Sequence, residues 1–229
     1  DISWPEHVLI NSVPFRVAAA YRVPMIMYGE CPQREYGSPV GEHDHMLMTK
    51  RWVAEYGGQL GMRPRDMIGI DGITADDMAE YTMPEHLVPA YWLGQFVRWD
   101  SKRNLDVARL HGMEQPMPST ANWWRGENVD NAQTGIHDFF CWLKYGYGRA
   151  SAQLSVDVRN GLLSRESALR VAREKDGSWP AHYMGISIDS VLSWIGMKRD
   201  DFVKSCNAFM NQTLFRENRV EWGQRVTLR

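Results

Sequence analysis

The chain has 229 residues, 44% of them hydrophobic and 24% charged, with a formal net charge of −2; it fits one large domain or two small ones and can bury a core. So balanced a charge argues against a nucleic-acid backbone as main partner, which needs a basic field, and no apolar run approaches the ~20 residues of a membrane helix. Cys31, Cys141 and Cys206 are far apart and lack CxxC pairing, which points to reduced thiols in the cytoplasm rather than a disulfide framework.

In chain order, Pro5 suits the first turn of a helix running to Tyr21, with Val8, Leu9, Val13, Val17 and Ala20 as its apolar stripe and Pro14 as a kink or break. Met25–Tyr28 has the length of a short buried strand, ended by Gly29 and Pro32. A helix followed by a buried strand predicts an α/β layer with parallel strands. A helix over His45–Tyr56 is stopped by Gly57 and Gly58, and a loop with a short helix begun by Thr74 fills 63–81. Tyr91–Val97 is a second candidate strand, and Ser101–His111 a helix stopped by Gly112. Residues 113–132 are turn-rich and carry Trp123 and Trp124. Helices are then expected at Thr134–Tyr145, Ala150–Arg159, Ser164–Lys175, Ser187–Ile195 and Arg199–Met210. The division that follows is an α/β part over 1–112 and a mainly helical part over 113–229, with 211–229 carrying no motif.

Several constellations have chemistry to weigh. Glu42-His43-Asp44-His45 places His43 and His45 two apart, so an extended segment could aim both at one metal ion; a solvated polar loop is the competing reading. Lys144-Tyr-Gly-Tyr-Gly-Arg149 lacks the GxxxxGK[ST] pattern of a phosphate loop. It is either a helix end turning through Gly146 and Gly148, or a place where Lys144, Arg149 and Arg159 converge on an anion. Arg98 follows the second strand, where α/β sheets put ligands, though Arg98 and Asp100 could equally form a surface pair. His137 near a helix start is a candidate acid–base group or a structural histidine, since the sequence assigns it no partner. No GxSxG, HExxH or Cys–His signature occurs.

The stretches VPMIMYGECPQREYG (23–37), KRWVAEYGGQLGMRPRDMIG (50–69), YWLGQFVRWD (91–100), QTGIHDFFCWLKYGYGRASAQLSVDVRNGLLSRESAL (133–169) and KDG (175–177) resemble the N-acetyl sugar amidotransferases of lipopolysaccharide and pseudaminic-acid biosynthesis. These belong to the PP-loop ATP pyrophosphatase superfamily. The resemblance implies an adenine nucleotide alpha hydrolase-like parallel sheet followed by a helical region. It implies ATP with Mg as cofactors, a nucleotide-linked N-acetyl sugar as substrate, and a glutaminase subunit as ammonia source. The acetamido oxygen would be adenylated, and ammonia would displace AMP to leave an acetamidino group. No protein nucleophile is required for this.

The family's ATP-gripping SGGxDS loop does not occur in the sequence. With a start at Asp1, the expectation is a C-terminal portion, whose PP-loop half lies on another chain or is truncated, and which does not hydrolyse ATP alone. Within it, Glu30, Gln33, Glu35, Tyr36 and Arg98 are expected beside nucleotide or sugar, and Lys144, Tyr147, Arg149 and Arg159 beside the phosphates or a uronate. Two alternatives remain: a non-catalytic nucleotide-sugar-binding or assembly module, and a tRNA-modifying relative, which the near-neutral charge disfavours.

Overall fold

The computed structural model describes residues 4–29, 47–59, 61–114, 117, 119–217 and 219–229. It is a mixture of helix and strand, mostly helical with two small sheets. The chain forms two compact units, Asp1–Trp99 and Asp100–Arg229.

The first unit opens with α1 (Trp4–Ala20), which runs unbroken through Pro14. Proline cannot donate to the carbonyl four residues back, and here the Tyr28 hydroxyl approaches that Ile10 carbonyl at 3.4 Å. Burial of this tyrosine pushes its hydroxyl up to about 12. The buried face of α1 is Trp4, Val8, Asn11, Phe15 and Ala18, while Val13 and Val17 are exposed. The expected stripe is thus corrected by most of a half-turn. Apolar residues surround this helix, so periodicity did not select the inward face.

β1 (Ile26–Tyr28) pairs with β2 (Ala90–Trp92) in parallel, Ile26 opposite Ala90 and Tyr28 opposite Trp92. The expected parallel layer is present as this pair. Its first strand is only half-buried, with Met27 exposed. The second ends at Trp92 rather than Val97, because Leu93–Gln95 closes a 3-10 turn in which Phe96 N–H donates to Leu93 O. Between the strands lie α2 (Lys50–Tyr56) and the single-turn α3 (Pro64–Met67). α2 starts later than expected, because the Thr49 hydroxyl accepts from Trp52 N–H and caps it there. At Thr74 a reciprocal cap forms with Asp77, yet only turns follow instead of the expected helix. Phe15, Trp52, Val53, Ala90 and Trp92 form the core.

The second unit begins with α4 (Ser101–Leu110), capped by Asp100 through Arg103 N–H at 3.0 Å. It continues with α5 (Thr134–Tyr145), α6 (Arg149–Arg159), α7 (Arg165–Lys175), the hairpin β3 (His182–Tyr183) and β4 (Ile186–Ser187), α8 (Ile188–Trp194) and α9 (Arg199–Phe209). The hairpin is an addition to the expected elements. Met184 and Gly185, with φ of 50° and 80°, make a tight two-residue turn without the usual Asn-Gly signal.

Phe139, Trp142, Leu143, Trp179, Phe202 and Cys206 centre the main core. The motif-free segment 211–229 supplies Phe215, Val220 and Val226 to it. Arg225 of that segment also donates to the carbonyls of Arg173, Glu174 and Asp176, a cation on the orphan carbonyls of a helix end. Among the described residues no helix is long and apolar enough to cross a membrane. Cys141 and Cys206 are free thiols.

Candidate functional site

The densest polar cluster forms where α5 ends and α6 begins. α5 stops because Gly146 adopts the left-handed conformation (φ 74°) and returns its N–H to Trp142 O. Two residues later Gly148 caps α6, placing Arg149 in the first helical position. A side chain at Gly148 would put its Cβ 2.5 Å from Asp176 Oδ1, so the second glycine of the YGYG run serves close packing.

Arg149 turns inward. Its Nε and Nη2 donate to Asp138 Oδ2 and Oδ1 at 2.9 and 2.7 Å, and Nη1 lies 3.5 Å from Glu127 Oε1. The two paired side chains are only 10% and 8% exposed. His137, itself 66% exposed, sets Nδ1 3.1 Å from Asp138 Oδ1. Burial alone would raise the Asp138 carboxyl, but the hydrogen bonds to His137 and Arg149 outweigh it and hold the group below its ordinary value.

Asp176 caps the same helix from below. Ser151 Oγ donates to its Oδ2, and the amides of Gly148, Ala150 and Ser151 face the carboxylate. Oδ1 has no hydrogen-bond partner of its own. With Asp176 only 2% exposed, burial dominates and pushes its carboxyl up despite these donors. Beside it, Tyr147 is hydrogen-bonded to the Cys141 thiol; burial raises the thiol, and the bond to Cys141 raises the Tyr147 hydroxyl.

The loop over the cluster is pinned by α6. Gln153 Oε1 accepts from the backbone N–H of Trp123 and Trp124, Gln153 Nε2 donates to Glu127, and Asp157 Oδ2 accepts from both indole N–H groups. Both tryptophans thus have their polar edges directed inward. Asp138, Arg149 and Asp176, with Asn122, His182 and Tyr183, line a cavity whose room for water centres is ≈ 20 Å³. That holds about one water, far below the ~300 Å³ of a small-ligand site.

The sequence-predicted site residues are dispersed. Glu30, Gln33, Glu35, Tyr36, His43 and His45 lie outside the described residues. Arg98 is exposed in the first unit, six residues after the end of β2. Lys144 sits 4.7 Å over the Phe209 ring, and Tyr147 stacks on Tyr145 at 6.1 Å. Arg149 and Arg159 are first and last in α6, about 15 Å apart at 1.5 Å per residue. The expected convergence of Lys144, Arg149 and Arg159 on one anion is not formed. Arg149 is held by carboxylates, and a helix separates it from Arg159. Sequence reasoning singled out His137 but missed Glu127, Gln153 and Asp157 of this cluster. The one available signal was the spacing of Gln153 and Asp157, two polar residues four apart on the buried face of α6; Glu127, in the loop before α5, carried none.

Among the described residues no group of three or more His, Cys, Asp or Glu is placed to hold a metal ion. The N-terminus of α6 is filled by the Asp176 carboxylate.

Comparison with curated proteins gives no match. Residues 117–228, which contain the whole cluster, match the family model described as "LPS biosynthesis protein WbpG-like, C-terminal domain". The chain is thus similar over this region to the C-terminal domain of WbpG-like lipopolysaccharide-biosynthesis proteins.

Proposed function

We propose that this chain is the C-terminal, substrate-side portion of an ATP-dependent amidotransferase. The enzyme would replace the acetamido oxygen of a nucleotide-linked N-acetyl sugar with nitrogen from ammonia, in the cytoplasmic stage of surface polysaccharide synthesis. The observation that carries it is the match of residues 117–228 to a lipopolysaccharide-biosynthesis domain. That region contains the QTGIHDFF…KYGYGRA…SRE run on which the amidotransferase resemblance rests.

Two structural features support the reading. β1 and β2 are parallel, so Gly29 and Leu93 leave the sheet from the same end. In open α/β sheets that carboxyl end is where ligands bind, and it is where the chain leading to Arg98 begins. The Asp138–Arg149–Asp176 cluster then acts as a scaffold, fixing the α5–α6 junction so that Lys144 and Tyr147 project from a rigid turn. ATP and Mg are assigned to a PP-loop half beyond this sequence, and ammonia to a glutaminase partner.

A non-catalytic assembly module is the second reading. It is favoured by the size of the polar cavity, which admits no sugar. The test is to incubate the full chain, alone and with a PP-loop partner, with ATP, Mg²⁺, ammonium and a UDP-N-acetyl sugar. Mass spectrometry of the sugar should show oxygen replaced by NH only when the partner is present. Binding of the sugar without conversion under every combination would favour the assembly module.

A further inference from the structure

The consecutive helices α6 and α7 leave an open groove along their junction, with room for water centres of ≈ 230 Å³. Its floor is apolar, with Leu154 and Val158 of α6 opposite Ala168 and Leu169 of α7. Residues three and four apart share one helix face, which is why each helix contributes one continuous strip. Arg159 is the last residue of α6 and Arg165 the first of α7. The short turn between them, made through Gly161 at φ 73°, brings both arginines to the same end of the groove.

The lining contains no carboxylate. Glu166 and Glu174 line a neighbouring face of α7 together with Arg170 and Arg173, and Asp157 of α6 is engaged by the two indole N–H groups. The groove lining therefore carries two guanidinium groups at one end and is apolar along its length. A guanidinium offers five N–H donors, so each arginine can keep a protein contact and still grip an oxyanion. Its planar fork matches phosphate oxygens, and the N-terminus of an eleven-residue helix adds partial positive charge at the same end.

We propose that this groove binds a nucleoside diphosphate, with the diphosphate on Arg159 and Arg165 and the base against the apolar floor. The inference rests on the nucleotide-sugar reading above and locates the nucleotide end of that substrate, leaving the sugar free to reach the reacting centre.

Isothermal titration calorimetry of the full chain with UDP, without ATP, tests it. Wild type should bind one UDP, and uridine should bind about ten-fold more weakly or worse, since charged hydrogen bonds to the phosphates are lost. The R159A/R165A double variant should weaken UDP binding by about ten-fold or more. S155E, which adds a carboxylate to the groove lining one turn from Arg159 without replacing either arginine, should also weaken it; circular dichroism checks that both variants remain folded. The proposal is overturned if UDP does not bind wild type, if uridine binds as tightly as UDP, or if either folded variant binds UDP like wild type. Such a result leaves amidotransfer standing, whereas absent turnover with intact UDP binding removes the amidotransferase reading alone.

Discussion

Replacing Arg149 with alanine removes a two-pronged donor from Asp138, whose carboxylate is 8% exposed. His137 remains as its side-chain donor among the described residues, and Glu127 loses the cation 3.5 Å away. Breaking a buried pair by removing one partner strands the other charge in a poorly solvated place and costs about 3–5 kcal/mol. For a chain of this size, that corresponds to a fall in melting temperature of roughly 6–20 °C.

The pH dependence carries a sign that separates this cause from simple loss of packing. The folded-state pKa of Asp138 is lowered from 3.8, so its stabilisation is complete above that value and is lost as pH falls through the lowered folded value. Arg149→Ala removes a main cause of the lowering, and the gap to wild type should shrink below pH 3.8. Urea denaturation at neutral and acid pH measures both quantities. The D138L/R149M double variant, which leaves neither charge behind, should return to within about 2 kcal/mol of wild type. A gap under about 1 kcal/mol at neutral pH, below even a modest charged hydrogen bond, would refute the reasoning. So would a gap that does not change with pH.

Gly177→Ala should destabilise the fold by at least about 2 kcal/mol. At φ 76° the new Cβ runs into the Val226 carbonyl and comes within 2.6 Å of Trp142 Nε1, separating two groups that hydrogen-bond each other; thermal denaturation measures the loss. Phe215→Ala empties a fully buried position in the main core and should cost about 3–5 kcal/mol by urea titration, showing that 211–229 is part of the folded unit. Asp176 has a folded-state pKa raised above 3.8, so its contribution is present at low pH and lost as pH rises through the raised value. Asp176→Asn should therefore gain stability relative to wild type across that interval, and a difference independent of pH would contradict the assignment.

Most helices of the second unit were legible because their signals are local. Gly146, Ser164 and Ser187 mark ends and starts through backbone conformation or a capping hydroxyl, and Phe139, Trp142 and Leu143 fall at helical spacing. The first unit was harder. α1 is apolar on every side, so its inward face was chosen by Trp52 and the β1–β2 pair rather than by its own pattern. Thr74 and Asp77 make the local cap of a helix that tertiary packing does not extend.

The sequence by itself determined where most helices lie, that strands of a parallel layer begin near 25 and 91, and which segments resemble a sugar-modifying family. Those properties depend on neighbours a few residues apart or on motifs read along the chain. Only the tertiary structure decided that Arg149 belongs to Asp138 and Glu127, that Asp176 occupies the N-terminus of α6, and that Arg159 shares a groove with Arg165. The partner of a charged side chain is set by distances in space. Glu127 and Asp176 reach Arg149 and Ser151 across 22 and 25 positions of sequence, a separation at which no periodicity can indicate who meets whom.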